Sequence, residues 1–140
     1  MKTIVLALDG SEGSARATPV AVSLARQSGA RIVVAHVDER IVAKGDMPSL
    51  RADEDEVFKR IESEVKHLAD DGIDASIERK VIVLGGPAHE IADIADEVDA
   101  DVIVVGTRGQ SQIAGLLLGS VTMRLLHIAK RPVLAVPPSS

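Results

Sequence analysis

The sequence predicts an α/β fold, a parallel sheet with helices packed on both faces. Three observations carry that reading. Short apolar runs alternate with longer segments of helical period, in the order β-α-β-α-β-α-β-α-β. The runs Ile4–Leu8 and Val102–Val105 are almost continuously apolar, as strands covered on both faces must be. Glycine-bearing turns stand where these two runs end, at Asp9-Gly10-Ser11 and at Gly106-Thr107-Arg108-Gly109.

Taken in order, Thr3–Leu8 reads as the first strand and Asp9-Gly10-Ser11 as a turn and helix-cap cluster. Ala17, Val20, Ala21, Leu24 and Ala25 repeat at helical spacing, which predicts a helix from about Glu12 to Ser28, with Gly29 as its stop. Pro19 lies inside it and predicts a kink or a late helix start. Arg31–Val37 is the second strand. Asp38–Leu50, with Gly45, Asp46, Pro48 and Ser49, has no sustained period and reads as a loop able to lie over a site. Arg51–Asp71 is the next helix, with Val57, Ile61, Val65 and Leu68 on one face, charged residues elsewhere, and Gly72 at its end. Ile73–Leu84 is a strand whose faces alternate, Ala75, Ile77 and Arg79 against Ser76, Glu78 and Lys80. So polar a strand belongs at a sheet edge. Gly85-Gly86-Pro87 opens a helix with apolar face Ile91, Ile94, Ala95 and Val98, Pro87 standing near its first position. Then come the strand Val102–Val105, the glycine loop, a helix carrying Val121, Leu125 and Ile128, and a last strand, Pro132–Val136.

Composition narrows the function. The 140 residues fit one domain, residues 1–140, and 46% hydrophobic with 26% charged is a globular mixture. A net charge of -5 gives no electrostatic footprint for nucleic acid. No cysteine is present, so disulfides and thiolate metal sites are excluded. The first residues run directly into a strand pattern without a signal-peptide core, and no apolar run approaches the ~18 residues of a membrane span, so a cytoplasmic protein without membrane contact is expected. Trp and Tyr are absent and Phe58 is the one aromatic ring, which argues against an aromatic sandwich around a base.

The chemistry concentrates in the fourth strand–helix connection. Glycine lets a backbone approach a ligand closely. A helix start presents unpaired amides and the positive end of a dipole, which together make an anion site. Ser120 and Thr122 add hydroxyls there, whether as caps of their own helix or as contacts to a phosphate. Arg108 can clamp a phosphate or point to solvent. Asp9, at the carboxyl end of the first strand, can cap the following helix or line a ligand. A site at a strand end in an open α/β sheet favours the ligand role. If the first and fourth strands are neighbours, the sheet order is 3-2-1-4-5 and the crevice lies between them. His36, His67, His89 and His127 are scattered, with no helical i, i+4 pair and no recognisable triad, so neither a protein metal site nor a catalytic group is expected. His36 reads as a strand residue. Asp53-Glu54-Asp55-Glu56 complements a helix dipole.

Gly106-x2-Gly109-x9-Gly119-Ser120 resembles the nucleotide-binding signature of the universal stress protein family, in its ATP-binding branch. The opening Ile4-Val5-Leu6-Ala7-Leu8-Asp9-Gly10-Ser11, the pair His36-Val37 and the closing Arg131-Pro132-Val133-Leu134-Ala135-Val136-Pro137 are similar to that family too. The resemblance implies an open five-stranded parallel sheet of order 3-2-1-4-5, Rossmann-like and adenine nucleotide alpha-hydrolase-like, with ATP between strands one and four. It implies that Ala7, Leu8 and Asp9 line the adenosine end, that Val37 packs near adenine, and that Gly106, Thr107, Arg108, Gly109, Gly119, Ser120, Val121 and Thr122 hold ribose and phosphates. Mg2+ or Mn2+, where present, would ride on the phosphates. It implies a homodimer through Val133–Val136, whose apolar run also calls for a cover. The role that follows is a nucleotide-dependent regulator or sensor in a stress response, with the apolar Thr107–Leu118 loop ordered by binding. A slow ATPase or phosphotransferase is the rival reading, against which stands the lack of a Walker lysine. A ligand-free dimeric interaction module is a third.

Overall fold

The computed structural model describes residues 1–39, 50–82, 86–107 and 118–138. Five strands, β1 (Thr3–Ala7), β2 (Arg31–Glu39), β3 (Ala75–Ile82), β4 (Val102–Gly106) and β5 (Val133–Val136), pair in parallel in the order β3-β2-β1-β4-β5. The helices are α1 (Glu12–Ala15), α2 (Ala17–Ser28), α3 (Leu50–Asp70), α4 (Pro87–Glu97) and α5 (Ser120–Ile128). The predicted fold class and strand order are both observed.

Strand parity builds two cores. Ile4, Leu6, Leu8, Ile32, Val34 and Val104 face one side, where they meet Ala17, Ala21 and Ala25 of α2 and Ile61 and Leu68 of α3. Val5, Ala7, Val33, Ala35, Ile103 and Val105 face the other, against Ala88, Ile91, Ile94 and Ala95 of α4 and Leu125 of α5. The small alanines let α2 lie close to the sheet, so its contribution is close packing rather than large buried area. α5 relies on Leu125, fully buried, whose burial contributes about 1.5–3 kcal/mol.

The first predicted helix is two. α1 ends at Ala15, four residues before the ring that causes the break, and α2 begins at Ala17: in a continuous helix, Pro19 would clash with the carbonyl of Ala15. The second strand outruns its predicted end at Val37. Asp38 and Glu39 pair with Val81 and Ile82 of β3, so the expected loop loses its first residues to the sheet, and residues 40–49 lie outside those described. β3 is an edge strand, as its polar pattern predicts. α2 and α3 stop at left-handed glycines, Gly29 and Gly72.

The order places the winding reversal between β1 and β4. β1 carries β2 on one side and β4 on the other, with Leu6 level with Val104. The carboxyl ends of β1 and β4 therefore stand side by side, the position where open α/β sheets bind ligands.

Candidate functional site

The β1 end is a turn held by its own side chains. Asp9 Oδ1 accepts from the Ser11 amide at 2.9 Å and from its hydroxyl at 2.5 Å. Ser11 is the N-cap of α1 and accepts from the Ser14 amide at 3.1 Å, while the Asp9 amide donates to Ser14 Oγ. Ser11, not Asp9, thus caps the helix, and Asp9 braces the cap. Gly10 has φ +83°, and a Cβ there would stand 2.7 Å from Val57 Cγ1 of α3, so glycine is required by both conformation and space.

The β4 end is closed by main chain. The Gly119 amide donates to the Thr107 carbonyl at 2.6 Å, drawing the start of α5 onto the strand end. Thr122, buried, donates its hydroxyl to the Gly106 carbonyl at 2.7 Å, so its hydrogen is spent on the scaffold. Gly119 is the N-cap and supplies no side-chain cap. The amides of Ser120, Val121 and Thr122 begin the helix and have no acceptor within it. Thr107 is buried, and its hydroxyl finds no hydrogen-bond partner among the described residues.

The residues singled out from sequence distribute as follows. Gly106, Thr107, Gly119, Ser120, Val121 and Thr122 come together at the β4–α5 junction, next to the end of β1 with Ala7, Leu8 and Asp9. The Ala7 and Leu8 side chains are buried in opposite cores, which leaves main chain as what they present at the strand end. Val37 is half-buried beside the α4 core. Arg108 and Gly109 lie outside the described residues.

A second group of polar side chains gathers where, from sequence, His36 reads only as a strand residue and Glu54 only as part of a run that complements a helix dipole. His36 and Asp38 share one face of β2, pointing beneath α3. His36 Nδ1 lies 2.9 Å from the Leu8 carbonyl. Arg79, opposite His36 on β3, donates to Asp38 Oδ2 through Nε at 2.7 Å, with Nη2 at 2.5 Å, and reaches Asp55 at 3.5 Å. The Phe58 ring lies 4.0 Å from the guanidinium and stacks with His36 at 6.3 Å between centroids. Glu54 Oε2 is 3.8 Å from His36 Nε2. Burial, then the neighbouring Asp38 carboxylate, raise the Glu54 pKa above the ordinary glutamate value. The signal available in the sequence was the i, i+2 spacing of His36 and Asp38, which on a strand means a shared face.

No helix among the described residues is long and apolar enough to cross a membrane. Against known proteins, the model of the universal stress protein family matches residues 1–137. A universal stress protein of Thermus aquaticus is 35% identical over 137 residues, covering 96% of this chain and 98% of that one. A solved structure from the universal stress protein family of Burkholderia pseudomallei superposes with a TM-score of 0.79 at 27% identity, over 98% of this chain and 96% of its own. A universal stress protein solved in complex with cAMP gives a TM-score of 0.70 at 32% identity, over 99% and 98% of the two chains.

Proposed function

The chain belongs to the universal stress protein family, and on that premise we propose that it is an ATP-binding member, a nucleotide-dependent regulator whose crevice lies between the ends of β1 and β4. The observation that carries this reading is the junction of β4 with α5. Three helix-start amides stand beside a main-chain closure made by Gly119, with no side chain of that residue capping them. The dipole and the amides supply a local positive potential in a protein whose net charge is -5. The buried Thr107 hydroxyl offers one more donor at the same end. The relative solved with cAMP supports an adenine nucleotide as the class of ligand. ATP is the finer choice, with Mg2+ or Mn2+ carried on its phosphates.

In this reading the base and ribose lie along the main chain of Ala7, Leu8 and Asp9, near Val37, and the phosphates lie over residues 119–122; Arg108 and Gly109, which the family signature adds, lie outside the described residues. The hydroxyls of Ser11, Ser14 and Thr122 donate to Asp9, to the Ser11 carbonyl and to the Gly106 carbonyl, which leaves main-chain amides for the ligand. Such a site binds and orients phosphates. The arrangement suits a switch more than rapid turnover. β5 sits at the edge of the sheet, with Leu134 39% exposed, and α5 beside it exposes Met123 and Leu126. These apolar groups support pairing of Val133–Val136 with a second copy in the cytoplasm.

The test is direct. Without Trp or Tyr the protein absorbs weakly in the near ultraviolet, so a co-purified adenine nucleotide dominates the spectrum. Mass spectrometry of the small molecule released on denaturation is expected to return ATP. A preparation that releases no nucleotide and takes up none from added ATP overturns the reading.

A further inference from the structure

The group beneath α3 poses an electrostatic problem with a chemical answer. A carbonyl oxygen can only accept, so the 2.9 Å contact with Leu8 assigns the hydrogen to His36 Nδ1. Unless a second proton sits there, Nε2 then presents a lone pair. That lone pair faces Asp38 Oδ1 at 2.7 Å, an acceptor facing an acceptor. The approach lacks the alignment of a hydrogen bond, and both atoms are buried without a hydrogen-bond partner among the described residues. Glu54 brings a third acceptor to the same point, 3.8 Å from Nε2. All three donor atoms lie within 4.8 Å of one another. Buried acceptors converging in this way are costly unless a positive charge stands among them, supplied either by a proton on Nε2 or by a metal ion.

We propose that His36 Nε2, Asp38 Oδ1 and Glu54 Oε2 form a site for a divalent first-row transition ion of the zinc class, separate from any ion carried on nucleotide phosphates. Ligands around such an ion, at about 2.0–2.2 Å from it, stand roughly 3.0–3.5 Å apart, and the observed separations of 2.7 and 3.8 Å bracket that spacing. One imidazole with two carboxylates suits zinc, cobalt or manganese better than calcium or magnesium, which favour all-oxygen shells. The outer contacts are those of a metal centre. The Leu8 carbonyl fixes the imidazole tautomer, and Arg79 grips the far oxygen of Asp38, turning Oδ1 inward. Three protein ligands leave a coordination position open. Because His36 is held by Leu8, next to Asp9, occupancy of the site bears on the main chain that lines the β1 end.

The test uses the full chain freed of nucleotide, titrated near neutral pH with Co2+ as the visible probe and then with Zn2+ as competitor. The expected result is one equivalent of Co2+ with ligand-field bands of a nitrogen and oxygen site, displaced by Zn2+. Glu54→Gln is expected to weaken binding on the order of tenfold or more with unchanged circular dichroism, since Glu54 sits at the partly exposed rim. His67→Gln, His89→Gln and His127→Gln, at exposed positions, are expected to leave it unchanged. Absence of saturable binding, binding indifferent to Glu54→Gln, binding lost with an exposed histidine, or binding that requires added ATP each overturns the proposal. So does a nuclear magnetic resonance spectrum in which His36 keeps protons on both ring nitrogens in the presence of Zn2+.

Discussion

Two strand ends of the same sheet carry opposite kinds of polar group. At the β4–α5 junction the amides of Ser120, Val121 and Thr122 have no acceptor within the helix, and the Thr122 hydroxyl serves the scaffold. Beneath α3 the polar groups are side chains from three elements, His36 and Asp38 of β2, Arg79 of β3 and Glu54 of α3. The first site depends on local chain geometry, the second on long-range packing. That difference determines how each fails when altered, and how each reads in a sequence.

The contrast breaks most sharply at Arg79. Arg79→Met leaves Asp38, fully buried, without the guanidinium that compensates it. A loss of about 3–5 kcal/mol is expected, measured by urea unfolding. A loss under 1 kcal/mol would show that the α3 side is not organised by charge. Thr122→Val tests the other end. Removing the hydroxyl leaves the Gly106 carbonyl without that donor and is expected to cost about 1–3 kcal/mol, with little change in nucleotide affinity once the folded fraction is allowed for. Unchanged stability with lost affinity would make Thr122 a ligand contact instead.

Ser11→Ala removes the cap of α1 and loosens the Asp9 brace, an expected cost of about 1 kcal/mol. The smallest effect is expected at Glu54. Its folded pKa is raised by burial and by Asp38, so this carboxyl favours the folded state below its unfolded value of 4.5 and loses that contribution as pH climbs through the raised folded value. Glu54→Gln removes the penalty. In metal-free protein it is expected to melt slightly higher than the parent at neutral pH and no higher at pH below 4.5. A gain at low pH alone would contradict this sign.

The central places of β1 and β4 were legible because apolar runs such as Ile4–Leu8 and Val102–Val105 must be covered on both faces, and β3 betrays its edge position by exposing Ser76 and Glu78, while the full order followed from the family resemblance. The β4–α5 junction was legible as a strand end joined to a helix start because Gly106, Gly119 and Ser120 belong to one local connection. The α3 cluster was not. His36, Asp38, Glu54 and Arg79 meet only when β2, β3 and α3 are assembled, and Asp38 looks like a strand breaker until Arg79 is seen beside it. The helix break at Arg16 was half legible, since Pro19 announces an interruption but its ring acts a turn earlier.

The central claim is that helix-start amides at Ser120–Thr122 hold a nucleotide's phosphates. Gly119 has φ -70° and ψ 163°, a conformation open to any residue, so Gly119→Val probes the space at the junction without straining the backbone. Calorimetric titration of ATP into the parent and Gly119→Val proteins tests the claim most directly. Saturable binding by the parent, with affinity lost by on the order of a hundredfold in a variant that still folds, its melting temperature lowered only by the poorer N-cap, is the predicted result. Equal affinity in the two proteins, or no binding by the parent, would contradict it.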